Sequence, residues 1–284
     1  MKSTCYNTLS LLFFILLIAL FGGCEKEDYT LPVEFRLDFT IKNEPILDGS
    51  ITIDEIGLGL NSIDISGYRE QGEDVFSTRR FDQGKFFEIK PTSRNATEKF
   101  DIPHGIYNPI SFSYNFQPDN EEDDLIEDIA EWHEDLEEED DDMEDDDLEE
   151  DDDLEDLQED LGDIIEDYLE DIHPCIFVKG TFTHNQKTKH IVLVVNDPLT
   201  FEILGKNKEG GSEVVLDKEQ VNTGNLQLNP SYWFSVITPE MLNDAFIGVI
   251  DDEKYIFLSK HVNSPIYNSV FNRIEESTIL TINE

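Results

Sequence analysis

Val33-Glu34-Phe35-Arg36-Leu37-Asp38-Phe39-Thr40-Ile41 alternates apolar and polar residues without a fault. Successive side chains of a strand point to opposite faces, so this run predicts a strand with Val33, Phe35, Leu37, Phe39 and Ile41 on one buried face. Ile110, Phe112, Tyr114 and Phe116 repeat the pattern. Around these two runs the chain is punctuated as a β-protein. Glu44-Pro45 and Asp48-Gly49 predict a turn, and Gln71-Gly72-Glu73-Asp74 a loop. Residues 51–65 read as strand, but the apolar phase slips after Ile53 and again after Leu60. Each slip predicts a bulge or a short turn, which Gly57 and Gly59 permit. Residues 85–90 form a short strand, and Pro103-His104-Gly105-Ile106-Tyr107 a tight turn over which Tyr107 packs. Cys175 to His184 and His190 to Val195 predict a hairpin about Asn185-Gln186-Lys187-Thr188. Short strands follow at 201–204, 214–216 and 226–228. The aromatic run Tyr232-Trp233-Phe234 reads as a strand with at least one ring in the core.

Into this pattern residues 119–172 bring 34 of the 65 acidic residues and no Lys or Arg, against 20 basic residues and a net charge of −45 for the whole chain. Two apolar stripes run through the acids at helical spacing: Leu125, Ile129, Trp132 and Leu136, then Leu154, Leu157, Leu161, Ile164 and Tyr168. The stretch therefore reads as an insertion in a loop. It forms either a hairpin of two helices packed stripe on stripe or one long projecting helix. Between the stripes nearly every i,i+4 pair from Glu137 to Asp153 is acid on acid. Each such pair costs about 0.2–0.5 kcal/mol in a helix.

The last part of the chain changes character. Thr238-Pro239-Glu240 caps and opens a helix reaching about Phe246, and Asn263-Ser264-Pro265 opens another with Ile266, Val270 and Ile274 on one face. Strands are expected at 255–258 and 278–282. The fold expected is thus mainly β: a β-sandwich with an inserted acidic helical hairpin and a small C-terminal α/β extension. Its parts are a leader over 1–23, a tether over 24–30, a sandwich from 31–118 and 173–237, the insertion over 119–172, and the extension over 238–284.

The leader is read from Leu9 to Phe21, apolar throughout except Ser10, behind Lys2 and ahead of Gly22-Gly23-Cys24. That is the layout of a secretory signal, and the run falls short of the about 20 residues that span a bilayer. Leu20-Phe21-Gly22-Gly23-Cys24 resembles the lipobox of bacterial lipoproteins. The resemblance implies cleavage before Cys24 and acylation of its thiol. Lys26-Glu27-Asp28, just after it, resembles the surface-export signal of Bacteroidetes-type lipoproteins. It implies an outer-membrane protein held by its lipid and facing the cell exterior. The Pro-x-Gly-x-Tyr turn at 103–107 is similar to one in β-sandwich domains of unknown function in such lipoproteins. With Cys5 in the leader and Cys24 acylated, only Cys175 remains in the mature chain, inside an apolar run where a buried thiol is expected.

Catalytic patterns are absent from the sequence. It has no phosphate-cradling glycine loop, no His-Glu-x-x-His, no Cys-x-x-Cys and no Gly-x-Ser-x-Gly. The expectation is a non-enzymatic binding or structural module. The alternative is a hydrolase or glycan-processing accessory with a carboxylate site that carries no motif. The charge excludes nucleic acid as a partner, since phosphates are repelled. It favours a basic protein, or weak and diffuse binding of calcium by hard oxygen ligands at Glu139, Asp140, Asp141, Asp142, Asp145, Asp146, Asp147, Asp151, Asp152 and Asp153. His184 and His190 flank the hairpin turn, and His173 lies near Cys175. These could make a softer metal site, though exposed histidines at strand ends are the plainer reading.

Overall fold

The computed structural model describes residues 31–91, 96–118, 150–170 and 173–283. The chain is mainly β. In order it runs β1 (Pro32–Ile41), β2 (Ile51–Arg69), β3 (Val75–Ile89), β4 (Ala96–Pro103), β5 (Gly105–Phe116), α1 (Glu150–Glu170), β6 (Ile176–His184), β7 (Lys187–Val195), β8 (Leu199–Asn207), β9 (Val214–Leu216) and β10 (Asn222–Leu228). It continues with α2 (Pro230–Trp233), α3 (Pro239–Asn243), β11 (Ile247–Ile250), β12 (Glu253–Leu258), α4 (Ser264–Phe271), α5 (Ile274–Ser277) and β13 (Ile279–Ile282).

All thirteen strands join one mixed sheet in the order β11-β12-β7-β6-β2-β5-β8-β13-β10-β1-β4, with β3 on the other edge of β2 and β9 on β5. The pairs β1–β10, β7–β12 and β8–β13 are parallel; the others are antiparallel. The sheet curls until β4, at one end of the path, faces β3. There Glu98 of β4, 5% exposed, takes Arg79 at 2.9 Å and Lys85 at 2.5 Å, both from β3. Aromatic rings fill the inside of the curl. Phe39 stands 4.7 Å from Phe87, and Phe35 5.7 Å from Phe112, between ring centroids. The alternation that begins at Val33 is what sends Phe35, Leu37 and Phe39 there, all fully buried.

Both phase slips in β2 are bulges. Its register shifts between Ile53 and Glu55 against β6, and between Leu60 and Ser62 against β3 and β5. β2 is therefore one strand of 19 residues that changes which face it shows to the core. Tyr107 folds back over its turn and donates from its hydroxyl to the Pro103 carbonyl. Gly67 leaves room for the ring: a Cβ there would lie 2.5 Å from it. The β6–β7 hairpin turns on Asn185 and Gln186 alone, both at positive φ.

Several expectations are corrected. Tyr232-Trp233-Phe234 is not a strand. Pro230 fixes the first turn of α2, and the Asn229 carbonyl accepts from the backbone N–H of Tyr232 and of Trp233. Trp233 and Phe234 are fully buried, and Trp233 donates to Ser277 Oγ at 2.9 Å. The helix capped by Thr238 ends at Asn243, short of Phe246, because the Phe246 N–H is taken by Asn263 Oδ1 at 3.0 Å as the chain turns into β11. The C-terminal residues do not stand apart from the sheet. β12 pairs β7, and β13 lies between β8 and β10 in the middle of the path. Parts of three strands escape the sequence pattern, although the tight turn at Pro103 and Gly105 does join two strands, β4 and β5, as read. The first half of β3 shows polar or exposed residues at 76–80, β4 has only Glu98 and Ile102 fully buried, and β11 is four residues long.

Candidate functional site

The acidic insertion is held at Gly59 of β2. On one edge of β2, β6 pairs with residues up to Leu58 and β5 with residues from Leu60 onward. Gly59 sits between them. Its N–H donates to the Cys175 carbonyl at 2.9 Å, and its carbonyl accepts from the Gln117 N–H at 3.1 Å. A Cβ on Gly59 would lie 2.6 Å from the Pro174 carbonyl oxygen, so only glycine fits this fork. Residues 117 and 174–175 thus meet across one residue, and everything between them leaves and returns at a single point of the sheet.

Beside this neck lies a cleft of about 460 Å³, lined by Gly59, Asn61, Gln83, Gly84, Lys85, Phe86, Gln117, Pro118 and His173. Its wall is a bulge in β3. Leu60 pairs with Lys85 and Ser62 with Arg80, so residues 81–84 stand opposite Asn61 alone. Gln83 and Gly84 both take positive φ to make this turn, and Phe81 points inward against Phe87 at 5.8 Å. The rings of Phe86 and His173 lie 4.5 Å apart. Asn61, Gln83 and Gln117 each bring an amide that donates and accepts. Lys85 brings the one fixed charge among the described lining residues, and Glu98 already holds it at 2.5 Å. No carboxylate, hydroxyl or thiol side chain lines the cleft among the described residues. The three amides suit hydrogen bonding to a neutral polar ligand.

α1 supplies the second part of the site. Leu157, Leu161, Ile164, Ile165 and Tyr168 are buried, and Leu154 of the expected stripe stays exposed. They pack on the outer face of the sheet against Phe177 of β6, Val192 and Val194 of β7, and Tyr255 and Phe257 of β12. Strands β6, β7 and β12 therefore bury both faces, as their unbroken apolar runs require. The partner of this stripe is the sheet. The stripe at Leu125, Ile129, Trp132 and Leu136, expected to pack on it, lies outside the described residues. On the opposite face of α1, Glu155, Asp156, Glu159, Asp160, Asp163, Glu166 and Asp167 are all exposed. Like charges at i,i+4 weaken such a helix by a few tenths of a kcal/mol per pair, and the last turn carries no base to meet the helix dipole. Burial of the stripe offsets this: a large apolar side chain fully buried contributes about 1.5–3 kcal/mol.

Of the residues expected to matter, Asp151, Asp152 and Asp153 fall in the first turn of α1. Cys24, Lys26, Glu27 and Asp28, with Glu139, Asp140, Asp141, Asp142, Asp145, Asp146 and Asp147, lie outside the described residues. The histidines are not brought together. His184 pairs with Lys187 and His190 with Thr181 across the hairpin, so the two do not face each other. His190 instead reaches Glu253 at 3.0 Å and stacks on Tyr255. His173 packs on Phe86. Among the described residues no three His, Cys, Asp or Glu side chains are placed to hold a metal ion. Cys175 is fully buried, and burial pushes its thiol up to about 12. The cleft itself is not foreseen in the sequence. Its one local signal is Asp82-Gln83-Gly84, a turn-type run set within a strand.

Comparison with protein-family models, with curated proteins and with solved structures finds no match to this chain.

Proposed function

We propose that this chain is a lipid-anchored lipoprotein of the outer membrane, displayed towards the cell exterior. It acts as a non-enzymatic binding module whose acidic insertion engages divalent cations or a basic protein partner. The curled sheet is its scaffold, a sandwich-like body in which Phe35 and Phe39 of β1 meet Phe112 of β5 and Phe87 of β3 across the interior. The observation that carries the reading is the fork at Gly59. The insertion begins and ends at one backbone residue, so residues 119–149 interrupt no pair of the sheet ladder at that point. Residues 119–149 alone hold 21 acids and no Lys or Arg, and α1 adds seven exposed acids beside them. Such a charge density attracts cations and basic surfaces and repels nucleic acid.

The test is a calcium titration of the chain from Glu25 onward, followed by circular dichroism and calorimetry against sodium at matched ionic strength. A saturable gain in helix at micromolar to low-millimolar calcium supports a cation-responsive insertion. A response that follows ionic strength alone is charge screening. It removes calcium and leaves the basic partner as the ligand to seek.

A further inference from the structure

The exposed apolar residues of this protein are not scattered. Among the described residues, six of the ten large hydrophobic side chains that stand exposed are Leu31, Tyr68, Phe76, Ile106, Val215 and Val221. The topology brings all six to one end of the curled sheet. Leu31 precedes β1, and its carbonyl accepts from the His104 N–H at 3.2 Å. Tyr68 and Phe76 flank the β2–β3 turn, with ring centroids 6.0 Å apart and edge on. Ile106 pairs with Val215 where β5 begins, and the Glu70 N–H donates to the Ile106 carbonyl. Val221 precedes β10, whose Asn222 pairs with Phe35. Phe76 and Val221 are 67% and 69% exposed.

Two further facts fix what this end faces. The chain enters the sheet here, seven residues after Cys24. Seven peptide steps span at most ~25 Å, so an anchor at Cys24 keeps this end close to the bilayer. The acidic insertion leaves from the opposite end. β5 runs from Gly105, beside the apolar rim, to Phe116, next to Gln117 and the fork. That is roughly 35 Å at about 3.3 Å per residue.

We infer that the rim of Leu31, Tyr68, Phe76, Ile106, Val215 and Val221 rests on the headgroup region of the bilayer to which the lipid on Cys24 ties the chain, and that the fork at Gly59 is held away from it. The inference rests on the lipid-anchor reading. Tyr68 suits this boundary because its ring buries while its hydroxyl stays near water, and Phe76 and the aliphatic residues add buried apolar area. The contact is apolar rather than electrostatic. Glu70, Glu73 and Asp74 stand at the same end, and Arg69 is tied to that turn, donating to the Glu73 carbonyl and to Asp74. Anionic lipid therefore adds nothing.

The experiment makes the anchor by hand. The chain beginning at Cys24 is coupled through that thiol to a maleimide lipid in phosphatidylcholine vesicles; Cys175 is buried and does not compete. Phe76→Trp and Val236→Trp then report depth by quenching from brominated acyl chains, against the unsubstituted chain as the background of Trp132 and Trp233. Val236 is exposed and lies beyond α2, at the far end. Quenching at least twofold stronger at 76 than at 236, unchanged by added phosphatidylserine, is the expected result. Equal quenching at both sites, or none at either, overturns the contact. So does quenching that requires anionic lipid. A lipid-independent, concentration-dependent blue shift of the Phe76→Trp emission assigns the rim to a second copy of the chain and overturns it as well. Mass analysis of the envelope-extracted protein separates the two readings. An unacylated Cys24 overturns the anchor and the contact together, whereas an acylated chain with unquenched Trp overturns the contact alone.

Discussion

Gly162 of α1 and Gly248 of β11 cross without a side chain between them. A Cβ on Gly162 would lie 2.1 Å from the Val249 carbonyl oxygen, and one on Gly248 would lie 3.0 Å from the Gly162 nitrogen. The helix is thereby seated on the backbone of the edge strand, with Leu161 and Ile165 to either side of the crossing. Gly162→Ala gains about 1 kcal/mol of helix propensity. It must also displace β11 backbone, and overpacking of this kind costs about 1–3 kcal/mol. The clash wins. The expected outcome is a melting temperature several degrees lower, with backbone amide hydrogen exchange faster across β11 and α1 than across β1.

The insertion divides into a part the sheet needs and a part it does not. Replacing residues 119–149 by a flexible linker of about 12 residues keeps α1 and costs little closure entropy. This variant is expected to fold and melt cooperatively. Removing 119–172 entirely uncovers Phe177, Val192, Val194 and Phe257 together, since α1 is what covers them. That variant is expected to aggregate or to bind a hydrophobic dye. Equal stability of the two variants would show that α1 contributes nothing to the sheet.

What could be read from the sequence follows from which signals are local. The strand at Val33–Ile41, both bulges in β2, the Thr238 cap and the Asn185–Gln186 hairpin each rest on side-chain alternation or turn chemistry within a few residues. They appear where expected, except that the hairpin turn takes two residues of the four expected at 185–188 and β7 begins at Lys187. The first half of β3 was illegible because its outward face is solvent and its inward face meets the core only at Val75 and Phe81. The placing of β13 between β8, to which it is parallel, and β10, to which it is antiparallel, has no local signature at all. The neck at Gly59 was half legible: a glycine at a phase slip foretold an irregularity, but not that two strands and the two ends of the acidic insertion meet there. The stripe on α1 was plain, but its partner was not. Periodicity says that a face is buried and does not say against what.

Glu98 joins the two free edges of the curl, and its removal tests whether they need joining. Arg79 donates to it through Nε at 3.1 Å and Nη2 at 2.9 Å, and Lys85 donates at 2.5 Å. Both cations are about half exposed, so water can serve them when the carboxylate is gone. Lys85 also keeps the rings of Phe81 and Phe87 beneath it. Glu98→Gln is therefore expected to cost about 1–3 kcal/mol, the range for a charge-assisted hydrogen bond, and not to unfold the chain. Denaturant titration gives the value, and hydrogen exchange should quicken in β3 and β4 before the rest of the sheet.

Alkaline pH should weaken the fold earlier than its net charge alone requires. Burial pushes Cys175 from 9.0 up to about 12, and pushes Tyr107 and Tyr267 from 10.0 up to about 12. These groups are protonated and neutral in the folded chain. Once unfolded, they lose their protons near pH 9 to 10. Between that range and about pH 12 the unfolded chain binds fewer protons than the folded one, so stability falls as pH rises. Their contribution is complete below pH 9. Lys189, whose ammonium is destabilised by burial, acts in the opposite direction over part of this range. The melting temperature is expected to be level up to about pH 9 and to drop steeply above it. Cys175→Ala removes the lowest of the three unfolded-state titrations, so the drop should begin about one pH unit later in that variant. An unchanged onset would mean that the thiol is not held protonated by the fold.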